Sequence, residues 1–242
     1  MIKIENLSKK FGKLTVLDKI NLSIQYEAGC IALIGPNASG KTTLIKSILG
    51  LVIPDSGEIF IKGFPIKGEY IYRKHIGYMP QIGRYPDNMT IHQLFKMIID
   101  VRKMDWSDCD TELIQKLKVE NIYSKRLGTL SGGTRQKISA CLAFLFNPAI
   151  LILDEPTAGL DPVSTEILKE KILKEKSKGK LILITSHVLS DLDELVNEVI
   201  FLQEGQITFR KNIELLKYET GEMKLSRAIA KIMGYKNYGQ AV

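Results

Sequence analysis

Residues 30–49 read CIALIGPNASGKTTLIKSIL, and three parts in order within that stretch decide the fold. First comes a short unbroken apolar run, 30–34, of the kind found in strands buried on both faces. A loop carrying Gly35 and Gly40 follows. Then Leu44, Ile45, Ile48 and Leu49 recur at helical spacing, with Gly50 placed to close the helix. Strand, glycine-bearing loop and helix form the context that G-x-x-x-x-G-K-[ST] requires, and Gly35-Pro36-Asn37-Ala38-Ser39-Gly40-Lys41-Thr42 supplies the string. Loop N–H groups and a helix N-terminus both favour an anion. Lys41 would add a point charge on β- and γ-phosphates, the Thr42 hydroxyl would reach Mg2+, and Thr43 completes the binding set.

Working outward, Ile2, Ile4 and Leu7, then 16–24, alternate apolar with polar residues, as antiparallel strands with one solvated face do. Pro54-Asp55-Ser56-Gly57 reads as a turn into a strand over 58–61. From about 80 to 130 the pattern turns helical. Thr90 with Gln93 makes a capping-box start, Leu94, Phe95, Ile98 and Ile99 form an apolar face, and a second helix is expected near 108–117. Beyond 130 strands and helices alternate: strand 150–153, helix 162–178, strand 181–185, helix 188–195, strand 199–202, then a turn at Gly205. That alternation predicts an α/β fold with a mostly parallel sheet, an N-terminal antiparallel part and an inserted helical subdomain.

The run 150–155, ILILDE, is an apolar strand ending in two carboxylates. Ligands of open α/β sheets sit at the carboxyl ends of strands. Asp154 would hold Mg2+, and Glu155 would orient or deprotonate the water that attacks a γ-phosphate.

With these motifs in place, the chain resembles the ABC ATPases, a branch of the P-loop NTPases. Leu130-Ser131-Gly132-Gly133 is similar to the family's signature motif. The resemblance implies that Ser131, Gly132 and Gly133 open a helix whose N-terminus binds the γ-phosphate of ATP held by a second copy of the chain. It further implies that Gln81 is the Q-loop glutamine linking Mg2+ and water to a transmembrane partner. Asp161, in Gly159-Leu160-Asp161, matches the D-loop of the dimer interface. His187 matches the switch histidine on the γ-phosphate, and Phe11 the aromatic stacked on adenine. The chain departs from many relatives in two places. Ala38 stands where glycine is common, which predicts a slightly stiffer loop, and Thr134 follows the signature where glutamine is common, with Gln136 two further on. Glu155 and His187 together imply a hydrolytically competent site with catalytic residues Glu155, His187, Lys41 and Gln81.

The implied organisation is an ATPase domain over 1–210, with a core of 1–80 and 131–210 around a helical insertion of 81–130, and a basic, partly helical tail over 211–242. The implied function is the ATP-binding subunit of a transporter, an ATPase that works as a homodimer and drives separate transmembrane permease subunits. The phrase LDEPTAGLDP over 153–162 resembles export-type bacterial ATPases. The whole chain, tail included, is also similar to the ATPases that serve the copper centre of nitrous-oxide reductase. Soluble ABC ATPases of iron–sulfur cluster assembly match in size and stand as the alternative. DNA-repair types usually carry zinc modules or long coiled coils, and neither is found, so no nucleic-acid partner is expected. Residues 81–100 are the expected docking surface, with Arg84-Tyr85-Pro86-Asp87-Asn88 as a contact loop.

Composition agrees with that reading without choosing it. The 242 residues are 45% hydrophobic and 25% charged, ordinary for a folded domain, and 34 basic against 27 acidic residues give +7. Cys30, Cys109 and Cys141 lie far apart with no C-x-x-C pair, which argues against a disulfide framework or zinc site and suits a reducing compartment. The greasiest stretch, 138–153, is too short to span a bilayer and is broken by Asn147-Pro148. The opening MIKIENLSKKFG has no apolar signal core. The chain is expected in the cytoplasm, peripheral at the inner face of the cell membrane through its partner alone.

Overall fold

The architecture is that of a computed structural model, which describes residues 1–25 and 29–234. In chain order the first elements are β1 (Ile2–Phe11), β2 (Leu14–Ile24), β3 (Cys30–Ile34), α1 (Lys41–Ile48), β4 (Ser56–Ile61), β5 (Phe64–Pro65), β6 (Ile76–Met79) and α2 (Ile91–Arg102). Then follow α3 (Glu112–Lys116), α4 (Gly132–Phe144), β7 (Ile150–Asp154), α5 (Pro162–Ser177), β8 (Leu181–Thr185), β9 (Glu198–Gln203), β10 (Gln206–Asn212), α6 (Ile213–Thr220) and α7 (Leu225–Ile232). They gather into two compact units, Met1–Tyr70 with the segment from Thr185 onward, and Ile71–Ile184.

In the first unit the antiparallel sheet has the order β2-β1-β4-β5. Ile2, Ile4 and Leu7 of β1 are buried while Lys3 and Asn6 face out, the alternation expected of a half-solvated sheet. β3 is different: all five residues are buried, and it pairs in parallel with β9, Ile34 opposite Phe201. The chain turns back at Glu204-Gly205, both with positive φ, and β10 runs antiparallel to β9. Asn212 then caps α6 by accepting the N–H of Glu214 at 2.9 Å.

In the second unit the strand order is β8-β7-β6. β6 and β7 are parallel with Ile76 opposite Ile150 and Met79 opposite Leu153, so both leave the sheet on the same edge. Gly77 lets α4 lie close on β6: a Cβ there would stand 2.0 Å from the Ala143 carbonyl oxygen. α2 opens with the expected capping box, the Thr90 hydroxyl accepting from Gln93 N at 3.2 Å and Gln93 Oε1 accepting from Thr90 N at 2.9 Å. α3 is tied to α5 by a buried ion cluster. Lys171, with a side chain 1% exposed, reaches Asp110 at 2.6 Å, Glu112 at 2.8 Å and Glu175 at 3.1 Å.

Several elements differ from the sequence expectation. The helix expected over 188–195 is a single 3-10 turn, Leu189–Asp191. The Ser186 hydroxyl binds both backbone groups of Val188 and competes with a helical start. Asp193 accepts the N–H of Leu225 and pairs with Lys217, tertiary demands that outweigh local propensity. The helix near 108–117 shortens to α3, preceded by a 3-10 turn at Trp106–Asp108, because Asp110 is pinned by its N–H to the Leu145 carbonyl and by Lys171. β6 and β10 are strands that the hydropathy pattern did not flag. The tail is therefore a strand end followed by α6 and α7, and the part of the expected tail at 235–242 lies outside the described residues.

Gly77→Ala is expected to lower stability by about 1–3 kcal/mol, since backbone rather than a flexible side chain blocks the new methyl; denaturant titration measures it. Acid lability follows from the ion cluster. Burial alone would raise the Glu175 carboxyl, but hydrogen bonds from Lys178, Lys180 and Lys171 outweigh it and hold the group at about 2. Bonds from Lys171 and Lys174 do the same for Glu112. Both lie below the ordinary value of 4.5, so the stability they contribute is complete above that pH and is lost as pH falls toward 2. Stability curves across that window should decline for the native chain and decline less for Glu175→Gln, which starts lower.

Candidate functional site

Each unit carries a distinct set of the expected site residues. The first holds the phosphate loop. Gly35 and Pro36 leave the end of β3, and Gly40, with φ 106, precedes α1 as its N-cap. A Cβ at Gly40 would stand 2.6 Å from the Val16 carbonyl oxygen, so the position requires glycine. α1 begins with no side-chain cap, which leaves its first N–H groups to be satisfied by an anion. Lys41 is only 9% exposed, and its Nζ donates to the carbonyls of Gly35 at 2.8 Å and Pro36 at 2.9 Å. The Ser39 hydroxyl is buried without a hydrogen-bond partner. A buried cation, an unmatched hydroxyl and an uncapped helix start together fit a polyphosphate. Asn37 and Thr42 are exposed beside them and Thr43 is half-buried.

Ala38 has φ 61, in the left-handed region. The expected stiffness therefore has a definite form: alanine occupies a backbone conformation that glycine reaches without steric cost.

Phe11 ends β1 and is 52% exposed, next to exposed Leu14 across the turn. The Lys9 ammonium lies 5.3 Å from the ring centroid and is itself held by Asp55 at 2.9 Å. An open aromatic face of this kind suits stacking on a base. His187 is exposed, carried by the turn that Ser186 shapes.

The second unit brings the carboxylates and the glutamine together. Asp154 is the buried last residue of β7. The phenol of Tyr78 on neighbouring β6 is pushed up to about 12, by burial first and by the negative Asp154 second. Because β6 and β7 are parallel, Gln81 emerges on the edge where Glu155 does. Its Nε2 donates to Glu155 Oε2 at 3.0 Å. Glu155 has φ 50, a left-handed conformation unusual for a side chain of that size, and functional sites are where such strain collects.

Ser131 is the N-cap of α4, its hydroxyl accepting from Thr134 N at 3.2 Å and lying 2.9 Å from the Thr134 hydroxyl. Thr134, the departure noted in the signature, thus gives Ser131 a second hydroxyl to bond. Gly132 and Gly133 form the first turn of α4. Asp161 caps α5 through Ser164 and pairs with Lys137 at 2.7 Å. The Lys137 hydrogen bond first, and those from Ser164 next, hold its carboxyl well below the usual carboxylate range. Sequence reasoning did not foresee three pairings: Lys137 with Asp161, Tyr85 with Ser139, and Gln136, whose buried amide donates to the Glu155 carbonyl at 3.3 Å. Gln136 was visible in the sequence only as the glutamine two positions beyond Thr134 in the signature.

The ABC transporter family profile matches residues 17–158. The chain belongs to the ABC transporter family. It is an ABC ATPase domain and the ATP-binding subunit type of that family. It is 34% identical over 216 residues to the lantibiotic transport ATP-binding protein SrtF of Streptococcus pyogenes, covering 88% of this chain and 92% of that one. It is 30% identical over 209 residues to the Nod factor export ATP-binding protein I of Burkholderia orbicola (strain AU 1054), covering 85% of this chain and 68% of that protein. Among solved structures, an ATP-binding subunit of an ABC transporter superposes with a TM-score of 0.88 at 25% identity, over 96% of this chain and 99% of that one. A dimeric cassette, MJ0796, superposes with a TM-score of 0.77 at 23% identity over 88% and 98%, a likeness of fold. The copper-centre expectation draws no support from these names. Among the described residues of this ABC cassette, no helix is long and apolar enough to cross a membrane.

Ala38→Gly is expected to raise stability by up to about 1 kcal/mol, relief of left-handed strain outweighing the extra freedom of glycine in the unfolded chain. Nucleotide affinity should stay unchanged, since the loop binds through backbone N–H groups. Thermal melting with and without ATP reads both.

Proposed function

We propose that this ABC ATPase binds ATP with Mg2+ and hydrolyses it in a homodimer to drive separate transmembrane permease subunits in the export direction. The observation that carries the catalytic part is the Gln81–Glu155 hydrogen bond at the shared edge of β6 and β7. It fixes a carboxylate acceptor and an amide beside buried Asp154, the arrangement needed to orient a water for in-line attack.

In this reading Phe11 stacks on adenine. The loop from Gly35 to Gly40, with Pro36, Asn37, Ala38 and Ser39, wraps the phosphates while Lys41 neutralises them, and Thr43 continues the helix start. Mg2+, held by the Thr42 hydroxyl, Gln81 and Asp154, would screen phosphate charge and align the γ-phosphate. Glu155 accepts the proton of the attacking water, and His187 donates a hydrogen bond to the γ-phosphate. Ser131, Gly132 and Gly133 act on ATP held by the second copy, which makes the dimer necessary for a complete site. Asp161 serves that interface from the N-terminus of α5.

The names of the relatives, lantibiotic transport and Nod factor export, support a transporter over the iron–sulfur assembly alternative, and favour export. Within the insertion, residues 81–100 offer the docking surface, with the loop Arg84-Tyr85-Pro86-Asp87-Asn88 as contact. Placement at the inner face of the cell membrane follows from that partner, and no nucleic acid is involved.

Glu155→Gln should reduce ATP hydrolysis by about 10²–10⁴-fold while keeping ATP binding. The tagged variant with ATP should then retain a polytopic membrane protein when purified from detergent-solubilised membranes. Recovery of soluble assembly proteins alone, from cytosol, would overturn the transporter reading.

A further inference from the structure

The side chain of Glu155 is only as well placed as the backbone that carries it, and that backbone is left-handed at φ 50. Glu155 follows directly on β7, which ends at Asp154, and its carbonyl accepts the N–H of Ala158 at 3.1 Å in the turn that follows. A side chain reaches the same carbonyl, that of Gln136. This amide lies on the second turn of α4, is 4% exposed, and donates from Nε2 to the Glu155 carbonyl oxygen at 3.3 Å. A buried amide costs desolvation unless it is hydrogen-bonded, so this contact offsets the burial of Gln136. Apolar Ile138, Ala140, Cys141, Ala143 and Phe144 fill the rest of that helix's buried positions, together with Ser139.

The helix that presents Gln136 is itself pinned nearby. Ser139, three residues on and so on the same side of α4, lies 2.7 Å from the Tyr85 hydroxyl. The Ser139 O–H donates to the Arg135 carbonyl at 3.1 Å, so Tyr85 is the donor to Ser139. Tyr85 sits in the chain just beyond Gln81, whose own amide holds the Glu155 carboxylate. Glu155 is thus gripped at both ends by amides, at the carboxylate by Gln81 and at the carbonyl by Gln136.

We propose that Gln136 is a positioning residue for hydrolysis, its amide fixing the Glu155 backbone so that the carboxylate meets the attacking water. This rests on the reading of Glu155 as the water-orienting base. Gln136 touches neither nucleotide nor water; it acts through Glu155. Losing its hydrogen bond should therefore lower kcat and leave ATP affinity alone.

The test is Gln136→Met, near in size but without the donor, measured beside Glu155→Gln. The expected result is a kcat lowered about 10- to 100-fold, the scale of an ångström's misplacement, with KM for ATP and the melting temperature close to native. Amide hydrogen exchange over 154–158 should accelerate while the rest of the chain is unchanged. Gln136→Asn keeps an amide but withdraws it by one methylene, should show the same split, and covers the case in which methionine is not accommodated. If kcat and local exchange stay native in a folded Gln136 variant while Glu155→Gln abolishes turnover, the proposal falls. A fall in kcat matched by an equal loss of melting temperature and ATP affinity would also overturn it, as a general structural role. Full turnover in Glu155→Gln would instead overturn the underlying reading of Glu155.

Discussion

The parallel pairing of β6 with β7, Met79 opposite Leu153, is the constraint on which the catalytic half depends. Two parallel strands in that register must deliver their next residues to one edge. Pro80 and Gln81 follow one strand, Asp154 ends the other with Glu155 after it, and a 3.0 Å hydrogen bond between Gln81 and Glu155 results. An antiparallel pairing would send the two ends to opposite edges, and the same residues could not meet. The sheet thus does for the acid what the uncapped start of α1 does for the phosphate: it places polar groups where the fold leaves them unsatisfied.

The packing against that pair depends in turn on Gly77. α4 can lie against β6 only because position 77 has no Cβ, and through α4 the sheet reaches the rest of the unit. The ion cluster around Lys171 adds a second fastening, of α3 to α5. Its desolvation cost is high, and a packed apolar replacement could be as stable. What the charges add is direction: Lys171 meets Asp110, Glu112 and Glu175 from two elements at fixed distances, which sets where α3 lies.

Motif-bearing parts of the site were legible in the sequence because each motif sits where one element changes into another. The run 30–49 showed strand, loop and helix through hydropathy alone, and β3, α1, β7 and β8 appear where the pattern put them. Thr90 and Gln93 announced their helix by local chemistry, which needs no tertiary help. β6 was not legible, since Ile76-Gly77-Tyr78-Met79 is four residues long and contains the glycine that a strand usually avoids. The segment 188–195 misled because its apolar spacing is helical while Ser186 and Asp193 commit the backbone to other partners. Pairings such as Gln136 with the Glu155 carbonyl are separated by 19 residues, and no local pattern encodes them.

The positive φ values at Ala38 and Glu155 belong to the same logic. Both fall where a strand has just ended and the chain must present polar groups sharply, one backbone N–H groups and the other a carboxylate. Glycine would relax the first without loss, because backbone alone acts there. It cannot replace the second, because the side chain is the reagent, so the strain at Glu155 has to be met by partners. The structure supplies them from one helix and one loop. α4 carries Ser131 at its N-terminus and Gln136 on its second turn, so a single helix presents a cap hydroxyl outward and a buried amide inward. Gly77, Tyr85 and Thr134 all act on that helix, at its C-terminal half, its middle and its first turn. The residues that look incidental in the sequence are therefore the ones that fix where the motif residues stand.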